Sequence, residues 1–169
     1  MPKLKVFKFR TYRGVKFKEL VLNLFEGDTE KLSAHRPVWS EVRNIPIKDA
    51  RVVAGCMQAT TSLSILVKRP VYHLCISWPE EAQLQKEEQI NVADTLTSDL
   101  GLSEHQCLIV SHTGGARPHI HIVVNTVHPD TGRVWNSWRD VYQILESLQK
   151  IEDQVVLPSK NFHDSEQNL

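Results

Sequence analysis

The segment from Cys107 to Asn125 constrains this chain more than any other. Cys107 to His112 reads CLIVSH and His119 to Val124 reads HIHIVV, two short runs rich in β-branched residues. Between them lies Thr113-Gly114-Gly115-Ala116-Arg117-Pro118, which has the composition of a turn. The expectation is a β-hairpin. Side chains alternate along a strand, so His119, His121 and Asn125 share one face. Ile120, Ile122 and Val124 take the other, which must face a core. The hairpin returns His112, the last residue of the first strand, to the His119/His121 pair.

Three neutral imidazoles meeting at one point make a divalent-metal site with open coordination positions. A lone HxH on a strand would mean little. A third histidine brought back by a Gly/Pro turn, with an apolar opposite face, makes it a candidate site. A closed structural zinc site would want a fourth ligand, and no cysteine lies near. An open three-histidine site suits a Lewis acid that grips a phosphate oxygen. Asn125 either orients a ligand or bonds the backbone. His73, on another strand, is a structural or supporting residue.

The remaining pattern describes one domain. Strand candidates are Leu4 to Phe9 and Val71 to Trp78, with Arg133 to Trp135 as a short addition after the Asp130-Thr131-Gly132 turn. Helical spacing marks Val15 to Phe25, Lys48 to Leu66, Pro79 to Leu100 (with Gly101 as its cap) and Trp138 to Glu152. Residues 28–47, with Pro37 and Pro46, read as a long irregular connection. The order suggests an α+β fold, an antiparallel central sheet with helices packed on one face. The domain is expected over residues 1–153, with 154–169 as a flexible tail.

Formal net charge is zero, yet Lys3, Lys5, Lys8, Arg10, Arg13, Lys16 and Lys18 all precede the first acid, Glu19. Such a stretch is either a surface facing phosphates or an edge strand guarded by lysines. No apolar run approaches the ~18 residues needed to cross a bilayer. The N-terminus lacks the apolar stretch of a secretory signal, so a cytoplasmic protein without membrane insertion is expected. Cys56, Cys75 and Cys107 each sit among apolar neighbours and read as buried small hydrophobes.

The stretch from His112 through Pro118-His119-Ile120-His121 to Asn125 resembles the metal motif of the conjugative relaxases, the plasmid mobilisation nucleases of the HUH class. Lys68 to Trp78 and Val127 to Trp135 are similar to flanking parts of the same family, and the resemblance runs from about Lys5 to Trp135. It implies a histidine pair on a central strand and a divalent metal, Mg²⁺ or Mn²⁺ before Zn²⁺, at His112, His119 and His121. It implies strand-specific nicking and religation at a transfer origin through a covalent tyrosine–DNA link. The partners it implies are single-stranded or supercoiled plasmid DNA and relaxosome accessory proteins.

Two departures stand out. The family's tyrosine position in the first helix is Asn23 here, and its usual aspartate two residues after the first histidine is Gly114. Among Tyr12, Tyr72 and Tyr142, Tyr12 is the candidate substitute nucleophile; otherwise it stacks or packs. Arg10, Arg13, Lys16, Lys18 and Arg117 are the candidate DNA contacts. The alternatives are a homologue that binds metal and single-stranded DNA without nicking, and a metal-dependent hydrolase of a small substrate.

Overall fold

The computed structural model describes residues 6–26 and 37–154. Five strands form one antiparallel sheet: β1 (Lys8–Gly14), β2 (Trp39–Arg43), β3 (Val71–Ser77), β4 (Cys107–His112) and β5 (His119–Asn125). Their order across the sheet is β1-β3-β5-β4-β2, so β5, with its histidine pair, is the central strand. β4 and β5 form the expected hairpin, with His112 opposite His119 and Val110 opposite His121.

The α+β class, the antiparallel sheet and the central histidine strand are as expected. The placement of helices on one face is not. Helices α1 (Lys18–Glu26) and α2 (Ala50–Thr61) cover one side, where Phe17, Val21, Leu24, Val53 and Met57 join Leu108, Val110 and Val123. Helices α3 (Lys86–Asp99) and α4 (Asp140–Gln154) cover the other, through Val92, Leu96, Ile144 and Leu148 against Leu74, Ile76, Ile109, Ile120 and Ile122. The cause is visible in β4. All of its residues are buried, so Leu108 and Val110 need a cover just as Ile109 does.

Other elements shift for local reasons. The first strand begins at Lys8 and runs on to Gly14, whereas Leu4 and Lys5 lie outside the described residues. Part of the presumed irregular connection is β2. It is a five-residue edge strand beside β4, anchored by Arg43, whose Nε and Nη2 each donate to the Asp94 carboxylate at 3.1 Å. Helix α2 starts where Asp49 accepts the N–H groups of Arg51 and Val52, both at 3.1 Å, and it stops at Thr61 instead of Leu66. The helix expected from Pro79 is interrupted. A 3₁₀ turn at Glu80–Ala82 ends on Gln83 at φ 46°, and a reciprocal Gln85/Glu88 cap then opens α3. Arg133 to Trp135 contributes only a single bridge, Val127 to Val134. The tail expected at 154–169 lies outside the described residues, apart from Gln154, the last residue of α4.

Cys107 is buried and Cys56 and Cys75 are half-buried, all three as free thiols. Burial pushes the Cys107 thiol up to about 12, which keeps it inert. No helix among the described residues is long and apolar enough to cross a membrane.

One buried histidine outside the site gives a pH test of the fold. His105 donates Nδ1–H to the carbonyl of Asn125 at 2.8 Å. Burial holds its pKa below the ordinary value, with nearby His128 pulling the same way against Asn125 and Glu104. The unfolded chain therefore takes up the proton first, and stability is lost as pH falls below about 6.5. The melting temperature should drop between pH 7 and pH 5, and His105→Asn, which keeps a donor near the Nδ1 position, should flatten that slope. A slope unchanged in the variant would remove His105 as its source.

Candidate metal centre

Strand pairing lays the residues of one sheet face out in rows. One row runs Lys8, Ser77, His119, His112; the next runs Arg10, Cys75, His121, Val110; a third runs Tyr12, His73, Val123. On the β4 side this face is closed by α1 and α2. On the β1 side it is open, and Lys8, Arg10 and Tyr12 are exposed there. The histidines stand at the boundary, with His112 buried and His119 and His121 half-buried.

One ring nitrogen from each of His112, His119 and His121 lies within 4.8 Å of the others. The rings meet edge to face, with centroid separations of 5.5, 5.0 and 4.9 Å. Each ring also has a partner that fixes its tautomer. His112 donates Nε2–H to the carbonyl of Leu24, near the end of α1, at 3.2 Å. His119 donates Nδ1–H to the carbonyl of Arg117 at 3.0 Å. His121 Nδ1 meets His73 Nε2 at 2.8 Å. A neutral imidazole has one donor and one acceptor nitrogen. Nδ1 of His112 and Nε2 of His119 therefore carry lone pairs. His121 presents Nε2 as a lone pair when its Nδ1–H donates to His73. Burial lowers the pKa of His73 to about 4, so this ring is neutral near pH 7 and able to accept. Three convergent imidazoles, each held from behind, fit a divalent cation with open positions.

The candidates around the centre separate by strand parity. Tyr12 is 48% exposed and its ring lies 5.4 Å from that of His73, which lies 5.0 Å from that of His121. It is thus on the histidine face, one ring removed from His121. Tyr72 is buried on the opposite face and donates its hydroxyl to Asp140 at 2.9 Å. Burial and that bond raise its pKa and keep it protonated. Tyr142 lies on α4, away from the histidines.

Of the basic candidates, Arg10 shares the histidine face. Arg13 does not: it pairs with Tyr72, lays its guanidinium over that ring at 5.5 Å and donates to the Arg69 carbonyl at 3.0 Å. Lys16 and Lys18 are exposed at the entry to α1. Arg117 spends Nη2 on the carbonyl of Val6 at 3.1 Å, while its own carbonyl orients His119. Lys8 was not among the candidates, yet it occupies the His119 row; parity with Arg10 and Tyr12 was the available signal. Asn125 is wholly buried and bonds backbone groups of Met57 and Val127.

The departures also find places. Asn23 is exposed and immediately precedes Leu24, whose carbonyl touches His112. The helix position expected to hold a tyrosine is therefore the exposed neighbour in sequence of a residue whose carbonyl reaches His112, and it carries an amide. Gly114 lies in the turn joining β4 and β5.

Comparison with known proteins agrees with this geometry. The chain is 26% identical over 162 residues to Protein TraI of Escherichia coli, covering 95% of this chain and 21% of TraI. It is 26% identical over 99 residues to Protein MobA of Acidithiobacillus ferrooxidans, covering 57% of this chain and 24% of MobA. The chain thus spans between a fifth and a quarter of these relatives' lengths. A solved structure described as "Molecular Basis of Vancomycin Resistance Transfer in Staphylococcus aureus" shares the fold. Its TM-score is 0.61 over 89% of this chain and 92% of that chain, at 11% identity. Residues 29–157, well over half of the chain, match the family described as Relaxase: MobA/VirD2-like, nuclease domain. The chain therefore belongs to the MobA/VirD2-like relaxase family and carries its nuclease domain.

Proposed function

We propose that the chain nicks and rejoins one DNA strand in plasmid transfer, with Tyr12 as nucleophile beside a divalent cation held by His112, His119 and His121. The observation that carries this reading is the convergence of three imidazole nitrogens within 4.8 Å at the edge of an open, basic sheet face. The chemistry such a cation supplies is Lewis-acid polarisation of a phosphoryl oxygen. Imidazole donors suit a borderline cation such as Zn²⁺ better than Mg²⁺.

The chain's own residues supply the rest. Arg10 and Lys8 hold the DNA backbone along β1. Tyr12 Oη bonds to phosphorus, the bond from phosphorus to the 3′ oxygen breaks, and a 5′-phosphotyrosine and a free 3′-hydroxyl result. The phenolic proton leaves to water at this half-exposed ring, and the 3′ oxygen takes one up. Attack by the 3′-hydroxyl reverses the step and rejoins the strand. Single-stranded DNA is the favoured substrate form, because the scissile phosphate must reach a centre flanked by helices on one side.

The test is incubation of supercoiled plasmid carrying a candidate origin with Mn²⁺, with and without EDTA. Nicking that needs metal, with protein attached to the 5′ end, is the expected result, and Tyr12→Phe should form no adduct. Nicking at the wild-type level in Tyr12→Phe would sink this tyrosine. A second reading rests on the amide at Asn23, where the family's tyrosine is expected: a homologue that binds metal and single-stranded DNA without cutting. It predicts salt-sensitive DNA binding with nicking at background.

A further inference from the structure

A second concentration of aromatic and cationic side chains lies on the opposite sheet face, at the other end from the histidines. Trp138 is 74% exposed and Tyr142 50% exposed, large rings that the core does not use. The Arg139 guanidinium is shared between them, 5.3 Å from the Trp138 ring centroid and 5.4 Å from that of Tyr142. The backbone is shaped to hold this arrangement. Arg139 sits at φ 64°, a left-handed conformation rare for an L side chain. Trp138 N–H is capped by Asn136 Oδ1 at 2.9 Å, and Gln143 N–H returns to the carbonyl of Arg139 at 3.1 Å.

The acid next in sequence, Asp140, accepts the Tyr72 hydroxyl, and Arg13 lies over that same Tyr72 ring while holding the Arg69 carbonyl. Next in sequence to the rings stand Asn136, Ser137, Arg139, Asp140 and Gln143, so the segment that carries them is largely polar. A protein partner docking on two aromatic rings would want a wide apolar surround, whereas Val141, 40% exposed, is the one exposed apolar side chain within residues 136–143 besides the rings. Two exposed ring faces sharing a guanidinium are the chemistry of single-stranded nucleic acid. Bases stack on the rings, and guanidinium edges beyond the ring contact keep N–H donors for phosphates.

We propose that Trp138 and Tyr142 form a stacking platform for unpaired bases of a single-stranded nucleic acid, with Arg139 on its phosphates. This goes beyond the nicking reading. It concerns a contact remote from the histidines that needs neither metal nor Tyr12.

The 169-residue chain, with Trp138→Ala and Tyr142→Ala singly and together, is titrated in EDTA with labelled oligodeoxythymidylate of about 20 nucleotides and with a duplex of equal length. Fluorescence anisotropy reads the affinity. Loss of each ring should weaken single-strand binding by about tenfold, while duplex binding changes by less than about twofold. Trp138→Phe, which keeps a ring, should retain most of the affinity. Wild-type affinity in the double variant overturns the proposal. So does an equal loss for duplex, which would mean charge alone, or a Trp138→Phe variant as weak as Trp138→Ala, which would mean a folding role. Because EDTA is present throughout, absence of a covalent adduct in the nicking assay defeats the nicking reading and leaves this result standing.

Discussion

His121→Ala is expected to lower metal-dependent nicking by about a thousandfold and to remove high-affinity divalent binding. His121 lies on the central strand, its ring is the one nearest both His112 and His119 in the cluster, and its Nδ1 is held by His73 at 2.8 Å. Charge stabilisation at a phosphoryl group by a Lewis acid is worth several kcal/mol, and about 4 kcal/mol corresponds to roughly a thousandfold in rate. His73→Ala is the instructive companion. It leaves all three ligands in place and removes only the group behind one of them, so metal affinity should fall by about 10- to 100-fold. Calorimetric titration with Mn²⁺ or Zn²⁺, beside nicking assays, orders the three proteins. Equal metal affinity in wild type and His121→Ala, with the melting temperature preserved, would end the metal reading.

The histidine centre was legible because its decisive geometry is local. A six-residue Gly/Pro turn joins two strands, and period-two alternation then dictates which side chains share a face. Its surroundings were not legible, because they depend on non-local pairing. That β3 lies beside β5, bringing His73 to His121, follows from sheet order alone. The position of Tyr12 over His73 depends on a first strand that continues to Gly14, beyond the apolar alternation that marks its start. Once that strand is extended, parity forbids Arg10 and Arg13 from sharing a face, and the structure duly separates them. The strand β2 was hidden by its shortness and its half-exposed edge position, where Trp39, Glu41 and Arg43 interleave with Ser40 and Val42. The two-sided helical cover was the readable feature that was passed over, since an unbroken apolar run such as CLIV belongs to a strand buried on both faces.

Asn125→Asp should cost about 4 kcal/mol of stability at pH 7.5, a large share of the 5–15 kcal/mol typical of a domain. The side chain is wholly buried at the end of β5. Its Nδ2 donates to the Met57 carbonyl in α2 at 2.8 Å, and its Oδ1 accepts Val127 N–H at 3.0 Å. Its own N–H donates to the Gln106 carbonyl at 3.0 Å, and its carbonyl accepts His105. One residue thereby ties the last strand to the last turns of α2 and to the turn that follows. The substitution is isosteric, so the loss is electrostatic rather than steric. A carboxylate would face the Met57 carbonyl and Gln106 Oε1 with no proton to give. The sign of the pH dependence follows. Burial against acceptors raises the introduced carboxyl's pKa above its unfolded value, so the penalty is full above the folded pKa. It shrinks as pH falls below it, because the protonated group can donate to Met57. Urea denaturation at pH 7.5 and pH 5 should therefore show a smaller gap between variant and wild type at the lower pH. The same variant separates the two roles open to Asn125. A ligand-orienting residue would lose metal or DNA affinity at unchanged stability, whereas a bracket between strand and helix loses stability first.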